Sequence, residues 1–349
     1  MGRSGPGRRL CCDGGLHFHH GEGVWTLSTG CAAPDALRRA ALHPWLQPCA
    51  PLGLRRVLRS FGTGWVAAMS DRFSSLPSSL ERVATQTELA GVPALLAIPE
   101  GERPSPLVLW MHGRTAHKEL DPGRYLRWIR SGIAACALDL PGHGKRLDED
   151  LQKPDRTLDV LSQMFDEIDG VLDALRSHEL APSIDFDRLG IGGMSAGGMA
   201  ALRRLCDEHP FRCAAVEATT GWLGELYHPK LPDNPGRPWP VDHDPERISP
   251  LDPYEHLEGW RPIPLLALHS EADEMVSLAG QRVFIERLRE RYTELGADPE
   301  RVTLKTWDRT GAPSEHIGFG KMSNEAKNLQ TDFFTEHLFR DGLGDLPND

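Results

Sequence analysis

The sequence has no apolar run near the ~18 consecutive residues that a membrane-crossing helix needs, so no such helix is expected. It is sparing with cysteine: seven, an odd number, at positions 11, 12, 31, 49, 136, 206 and 213, with no CxxC pair. That scatter argues against a disulfide framework and points to a reducing, cytoplasmic compartment. There is no HExxH and no spaced Cys/His set, so no metal is expected. The glycines of "GIGGMSAGG" contain no GxGxxG in register and lead straight into a helix, which argues against a nucleotide cofactor. Positive charge is also short, with 39 Lys and Arg against 50 Asp and Glu for a net charge of −11. Residues 1–68 hold eight Arg, no Lys and only three acids (Asp13, Glu22, Asp35), so the rest of the chain carries −16. A body this acidic is a poor partner for nucleic acid or anionic membranes.

What is present falls into two unlike parts. Residues 1–68 are rich in Gly, Arg, Ala and Pro, show no helical or strand periodicity and have no secretory h-region. They read as a disordered basic extension. The cluster His17-Phe18-His19-His20 within it is assigned no function, because a disordered stretch offers a metal no fixed geometry. From Met69 to Asp349 the text is that of an ordinary domain.

"ERVATQTEL", a turn at Ala90-Gly91 and "VPALLAIP" read as a strand pair. Short, nearly continuous apolar runs follow at 106–113, 132–140, 188–195, 213–221, 262–270 and 301–308. Continuous apolar character is expected of strands covered on both faces. Helical segments intervene at 158–177, 277–295 (with Gly296 as its stop) and 322–339. The expected fold class is α/β, with a mostly parallel central sheet and helices on both faces.

The run 188–195 ends in Gly193-Met194-Ser195-Ala196-Gly197 and passes directly into a helix. Strand, Gly-x-Ser-x-Gly and helix together describe a nucleophile elbow. A serine hydroxyl needs a base to take its proton and an acid to orient that base. This architecture orders them Ser, acid, His along the chain. Asp273 stands just past the run 262–270, with Glu271, Glu274 and Glu217 as substitutes, and His316 stands in a Gly/Pro loop before the last helix. Backbone N–H groups of Ala196 and Arg114 are the expected oxyanion donors. The Arg114 side chain could be merely solvated, and His112 is read as a structural hydrogen-bonder. The segment 222–260, rich in Pro and aromatics, is too long for an ordinary loop and reads as a short cap. Within it Trp222, Leu226, Tyr227, Trp239 and Tyr254 either line a substrate pocket or pack the cap onto the body.

From about residue 81 to 340 the chain resembles an α/β-hydrolase. The resemblance rests on the "HG" turn at 112–113, "DLPGHG" at 139–144, "GMSAG" at 193–197 and "HSEADEMV" at 269–276. The last is similar to the superfamily's acid-bearing "HGxxDxxV", with Ser270 in place of glycine. "HGRTAHKE", "SPLDPYEHLE" and "EHIGFG" are similar to the dienelactone-hydrolase and prolyl-oligopeptidase-like branch. The resemblance implies a serine carboxylesterase without cofactor, acting on a small-molecule ester of small to medium size. Its departures are two: Ser195 stands where a dienelactone hydrolase has cysteine, and only 80 residues precede the first expected strand, too few for a peptidase's propeller. A small-peptide hydrolase or an acyltransferase would use the same triad. A binding protein on a dead hydrolase fold would be expected to have lost one of the three side chains.

Overall fold

The computed structural model describes residues 10–12, 16–21, 24–29, 76–232 and 239–340. The chain divides into two compact units, Met1–Ser75 and Leu76–Asp349. In the first, β1 (Leu10–Cys12), β2 (Leu16–Gly21) and β3 (Val24–Thr29) form an antiparallel sheet. These strands differ from the expectation for 1–68, whose composition hides them; the remainder of that stretch lies outside the described residues.

In the second unit the antiparallel pair β4 (Ala84–Leu89) and β5 (Val92–Ala97) turns at Ala90 and Gly91, both at positive φ. The remaining strands are β6 (Ser105–Met111), β7 (Ala134–Leu138), β8 (Ile184–Met194), β9 (Phe211–Glu217), β10 (Leu265–Ser270) and β11 (Val302–Trp307). They form one sheet in the order β11-β10-β9-β8-β6-β7-β5-β4, parallel from β7 through β11. β8 begins at Ile184, four residues ahead of the continuous apolar run, because its first half is partly exposed.

Alternation along the strands divides the core in two. Leu107, Leu109 and Met111 of β6 face one apolar cluster and Val108 and Trp110 the other, as a period of two requires. Helices α1 (Pro122–Arg130), α2 (Thr157–Arg176), α3 (Ala196–Arg204), α4 (Leu278–Glu294) and α5 (Ser323–Phe339) supply both covers. On the first side lie Leu161, Met164, Ile168 and Leu172 of α2, Ala200 and Leu202 of α3, and Phe284 and Leu288 of α4. Tyr125 and Trp128 of α1 and Phe334 and Leu338 of α5 fill the second. α1 went unread in the sequence because its four apolar residues, Tyr125, Leu126, Trp128 and Ile129, are interspersed with three arginines; Pro122 opens it. α4 ends as expected, with Gly296 at φ +69°.

The cap segment is packed down, not raised. Leu223, Tyr227, Ile248, Leu251, Leu257 and Trp260 all belong to the main core. Residues 233–238 lie outside the described residues. Among the described residues no helix is long and apolar enough to cross a membrane.

Candidate active site

Ser195 sits where β8 ends and α3 begins, at φ 51° and ψ −119°. This is backbone strain in a non-glycine residue, sustained only where the surroundings over-determine it. Two glycines make it possible. A Cβ on Gly193 would lie 2.4 Å from the Gly197 carbonyl carbon, and one on Gly197 would lie 2.3 Å from the Met111 carbonyl oxygen. The turn is further closed by Ser195 N–H donating to Glu217 O (2.9 Å) and Thr219 Oγ1 donating to Ser195 O (2.8 Å).

His316 comes up from the loop after β11, buried at 4% exposure. Its Nε2 lies 3.0 Å from Ser195 Oγ and its Nδ1 lies 2.8 Å from Asp273 Oδ2. Asp273 is buried in turn, and its Oδ1 accepts the N–H groups of Met275 and Val276, each at 2.8 Å. Those bonds leave Oδ2 for the imidazole. Beside it His269 Nε2 approaches Oδ2 at 3.5 Å while donating to Val276 O at 2.8 Å. Burial pushes the His269 pKa down, so this ring stays neutral.

The three side chains that the sequence ordered as Ser195, Asp273 and His316 are thus brought together. The substitutes are not. Glu271 is exposed and bonded to Arg282 and Thr306, and Glu274 is exposed. Glu217 is buried with its carboxylate gripped by Arg124, at 2.9 and 2.8 Å.

Gly113 lies against the serine: a Cβ there would be 3.2 Å from Ser195 Cβ. Its peptide is fixed from one side. Leu140 N–H donates to His112 Nε2 (3.1 Å), which leaves Nδ1–H to donate to Gly113 O (2.7 Å). Carbonyl and N–H of one trans peptide point oppositely, so holding Gly113 O at His112 turns the Arg114 N–H away from it. The Arg114 side chain is anchored, not merely solvated. It donates to Thr157 Oγ1 (2.5 Å), Leu151 O (3.3 Å) and Lys153 O (2.9 Å). Ala196 is the first residue of α3, where N–H groups have no intrahelical acceptor.

Of the five aromatic and aliphatic cap residues, Trp222 and Tyr254 stack on each other with ring centroids 4.6 Å apart. Tyr227 is buried edge-on to Trp239 (5.4 Å) and His243 (4.6 Å). Leu226 lines a small cleft with Thr220, Glu225, Ser277 and Gly280. Sequence reasoning missed His269 and also Glu315, which precedes His316; Ser270 in place of glycine was the one available signal.

The prolyl oligopeptidase family model matches residues 157–338, more than half of the chain and a span holding Ser195, Asp273 and His316. The chain belongs to the prolyl oligopeptidase family. Membership in the prolyl oligopeptidase family makes it a serine hydrolase. It is similar to esterase YjfP of Escherichia coli (strain K12), 26% identical over 258 residues that cover 72% of this chain and 97% of that one. It is also similar to the putative esterase YitV of Bacillus subtilis (strain 168), 26% identical over 233 residues, 63% of this chain and 88% of that one. The solved structure of TT1662 from Thermus thermophilus matches with a TM-score of 0.56 at 22% identity, covering 74% of this chain and 98% of that one. The shared fold is the α/β-hydrolase fold, as the sheet order also indicates.

Proposed function

We propose that this prolyl oligopeptidase family member is a serine carboxylesterase that cleaves esters of small to medium size through an acyl-enzyme. Ser195 Oγ attacks the ester carbonyl as His316 Nε2 takes its proton, and Asp273 orients the ring and stabilises the imidazolium. The N–H groups of Ala196 and Arg114 receive the oxyanion. His316 then protonates the departing alkoxide, and water repeats the sequence to release the acid. The observation that carries this reading is the unbroken chain of contacts from Asp273 through His316 to Ser195, at 2.8 and 3.0 Å. The names of two relatives, both esterases, support the ester over other acyl compounds.

In this reading residues 69–349 are the catalytic domain, 222–260 is its cap, and residues 1–68 take no part in the chemistry. Trp222, Leu226, Tyr227, Trp239 and Tyr254 bound the pocket, and a cap seated this closely on the core suits short acyl chains. The buried free thiols of Cys136, Cys206 and Cys213 suit a cytoplasmic setting. The family match itself favours a second reading, hydrolysis of small peptides.

The test is hydrolysis of p-nitrophenyl acetate, butyrate and octanoate by the full chain, beside Ser195→Ala and His316→Ala. Each variant is expected to lose about 10⁴-fold or more in kcat, and the wild-type rate to fall from butyrate to octanoate. Undiminished turnover in Ser195→Ala would overturn the reading. Cleavage of peptide p-nitroanilides with none of the esters would favour the second.

A further inference from the structure

We propose that Glu315 is a positioning residue that holds His316 in register with Asp273, and that Ser270 is its partner from the acid-bearing strand. The proposal rests on the triad reading above and goes beyond it by assigning how two separate loops are locked together.

Glu315 immediately precedes His316, yet the residue is 9% exposed and its carboxylate bonds to none of the three catalytic side chains. Its Oε2 accepts from Ser270 Oγ (2.9 Å), Thr310 N (2.6 Å) and Thr310 Oγ1 (2.9 Å), and its Oε1 accepts from Gly311 N (2.9 Å). One carboxylate therefore ties the end of β10, three residues before Asp273, to the start and the end of the histidine loop. The backbone adds a parallel tie, Glu274 N–H donating to Ser314 O at 3.0 Å.

The lock has something to hold. Ser314 and Glu315 are both left-handed, at φ 52° and 50°. Two consecutive non-glycine residues in that region are strained and persist only where their surroundings over-determine them. A surface loop would relax, and His316 would swing with it. Four donors converging on one anion oppose that relaxation, since hydrogen bonds to charged groups are the stronger kind.

The same network explains the departure from the superfamily pattern. Ser270 is fully buried, and a buried hydroxyl needs a partner. Glycine at 270 would leave the carboxylate one donor short, and serine at 270 without Glu315 would bury an unsatisfied hydroxyl. The two residues make sense together. Every group on the carboxylate is a donor, and a carboxylate is an acceptor only. Glutamine is thus not conservative here: its NH2 must face at least one N–H or O–H.

The experiment measures kcat, KM and Tm of the full chain on a p-nitrophenyl ester it accepts, for Glu315→Gln, Glu315→Asp, Ser270→Ala and the Glu315→Gln/Ser270→Ala double variant, with Ser195→Ala alongside. Misplacing a catalytic group by about 1 Å costs on the order of 10²-fold, and that is the loss expected in kcat for Glu315→Gln, with KM within about twofold. Ser270→Ala removes one of the four bonds and is expected to lose about fivefold. Glu315→Asp, which keeps the acceptors, should recover part of kcat, and the double variant should lose no more than Glu315→Gln alone. A purely structural role would lower Tm while leaving kcat of the folded protein intact, and that result overturns the proposal. If Glu315→Gln fails to fold, Ser270→Ala decides: wild-type kcat there overturns it. An active Ser195→Ala would overturn the triad and this proposal together. An inactive Ser195→Ala beside wild-type kcat in Glu315→Gln and Ser270→Ala would overturn this proposal alone.

Discussion

Ser195 and His316 face each other across 3.0 Å, yet the fold holds them by opposite means. The serine is held mostly by main chain. Glycines let α3 close on β6 and β8, and the bonds that fix it run to the backbone of Glu217 and from Thr219. The histidine is held through one side-chain carboxylate, Glu315, whose donors come from Ser270, Thr310 and Gly311. A turn fixed by sterics has few alternatives. A loop fixed by a buried carboxylate keeps its place only while every donor is present.

The largest effect expected outside the triad tests whether the elbow is as independent of side chains as this contrast holds. Glu217 lends its carbonyl to Ser195 N–H, but its carboxylate is clamped by Arg124 and by Gln330 Nε2 at 2.8 Å. Glu217→Gln leaves the Arg124 charge buried and short of its main partner, which costs about 3–5 kcal/mol, read as a lower urea midpoint. The backbone bond survives the substitution. Activity per folded molecule should therefore stay near wild type, and a collapse of kcat at full folding would show that the elbow, too, depends on a buried carboxylate.

Gly197→Ala is the complementary break. The new Cβ would meet the carbonyl oxygens of Met111 and His112 at 2.3 and 2.5 Å, and main chain cannot rotate aside as a side chain can. α3 must shift off β6, at about 1–3 kcal/mol. Here kcat should fall together with Tm, because Ser195 rides on the displaced turn. Wild-type kcat in this variant would mean that the elbow tolerates a backbone shift and that the contrast is overdrawn.

The same contrast accounts for what could be read in advance. The elbow is legible because its requirements are local: a strand, small residues at fixed offsets and a helix all fall between 188 and 204. Asp273 and His316 are legible from their order along the chain and from the strands they follow. The carboxylate lock is not, since Glu315 serves residues 45 and 5 positions away and shows no periodicity. Glu217 illustrates the converse error, an acid past a strand end that a sequence reader must keep as a candidate until Arg124, 93 residues away, is seen gripping it. The cap resists for a different reason. Its aromatics have no repeat, and only the folded chain distinguishes the Trp222–Tyr254 stack from Tyr227 sunk beside Trp239.

The smallest expected effect concerns pH and separates the site's surroundings from its chemistry. Besides that of His269, burial also lowers the pKa values of His143 and His209. Burial brings His143 down to about 4, even though its Nδ1–H donates to Pro141 O. Burial, with Arg261 and Arg204 nearby, brings His209 down to about 3. Both are reluctant to charge in the fold, whereas the unfolded chain takes up their protons near the ordinary value of about 6.5. Their contribution is therefore whole above about pH 6.5 and is lost as pH falls toward 4 and then 3. Asp252 works the other way. Burial pushes it up to about 6 despite N–H bonds from Gly224, Leu223 and Tyr254, so its contribution is full below the ordinary carboxylate value and fades as pH rises through 6. His143 and His209 lose stability on acidification, as do His269 and the depressed carboxylates of Glu119 and Glu315, while Asp252 gains, so Tm should fall from pH 6.5 to 4.5. His143→Asn, whose amide can still donate to Pro141 O, should flatten that fall. An unchanged slope in this variant would show that His143 is not among the groups whose protonation drives acid unfolding.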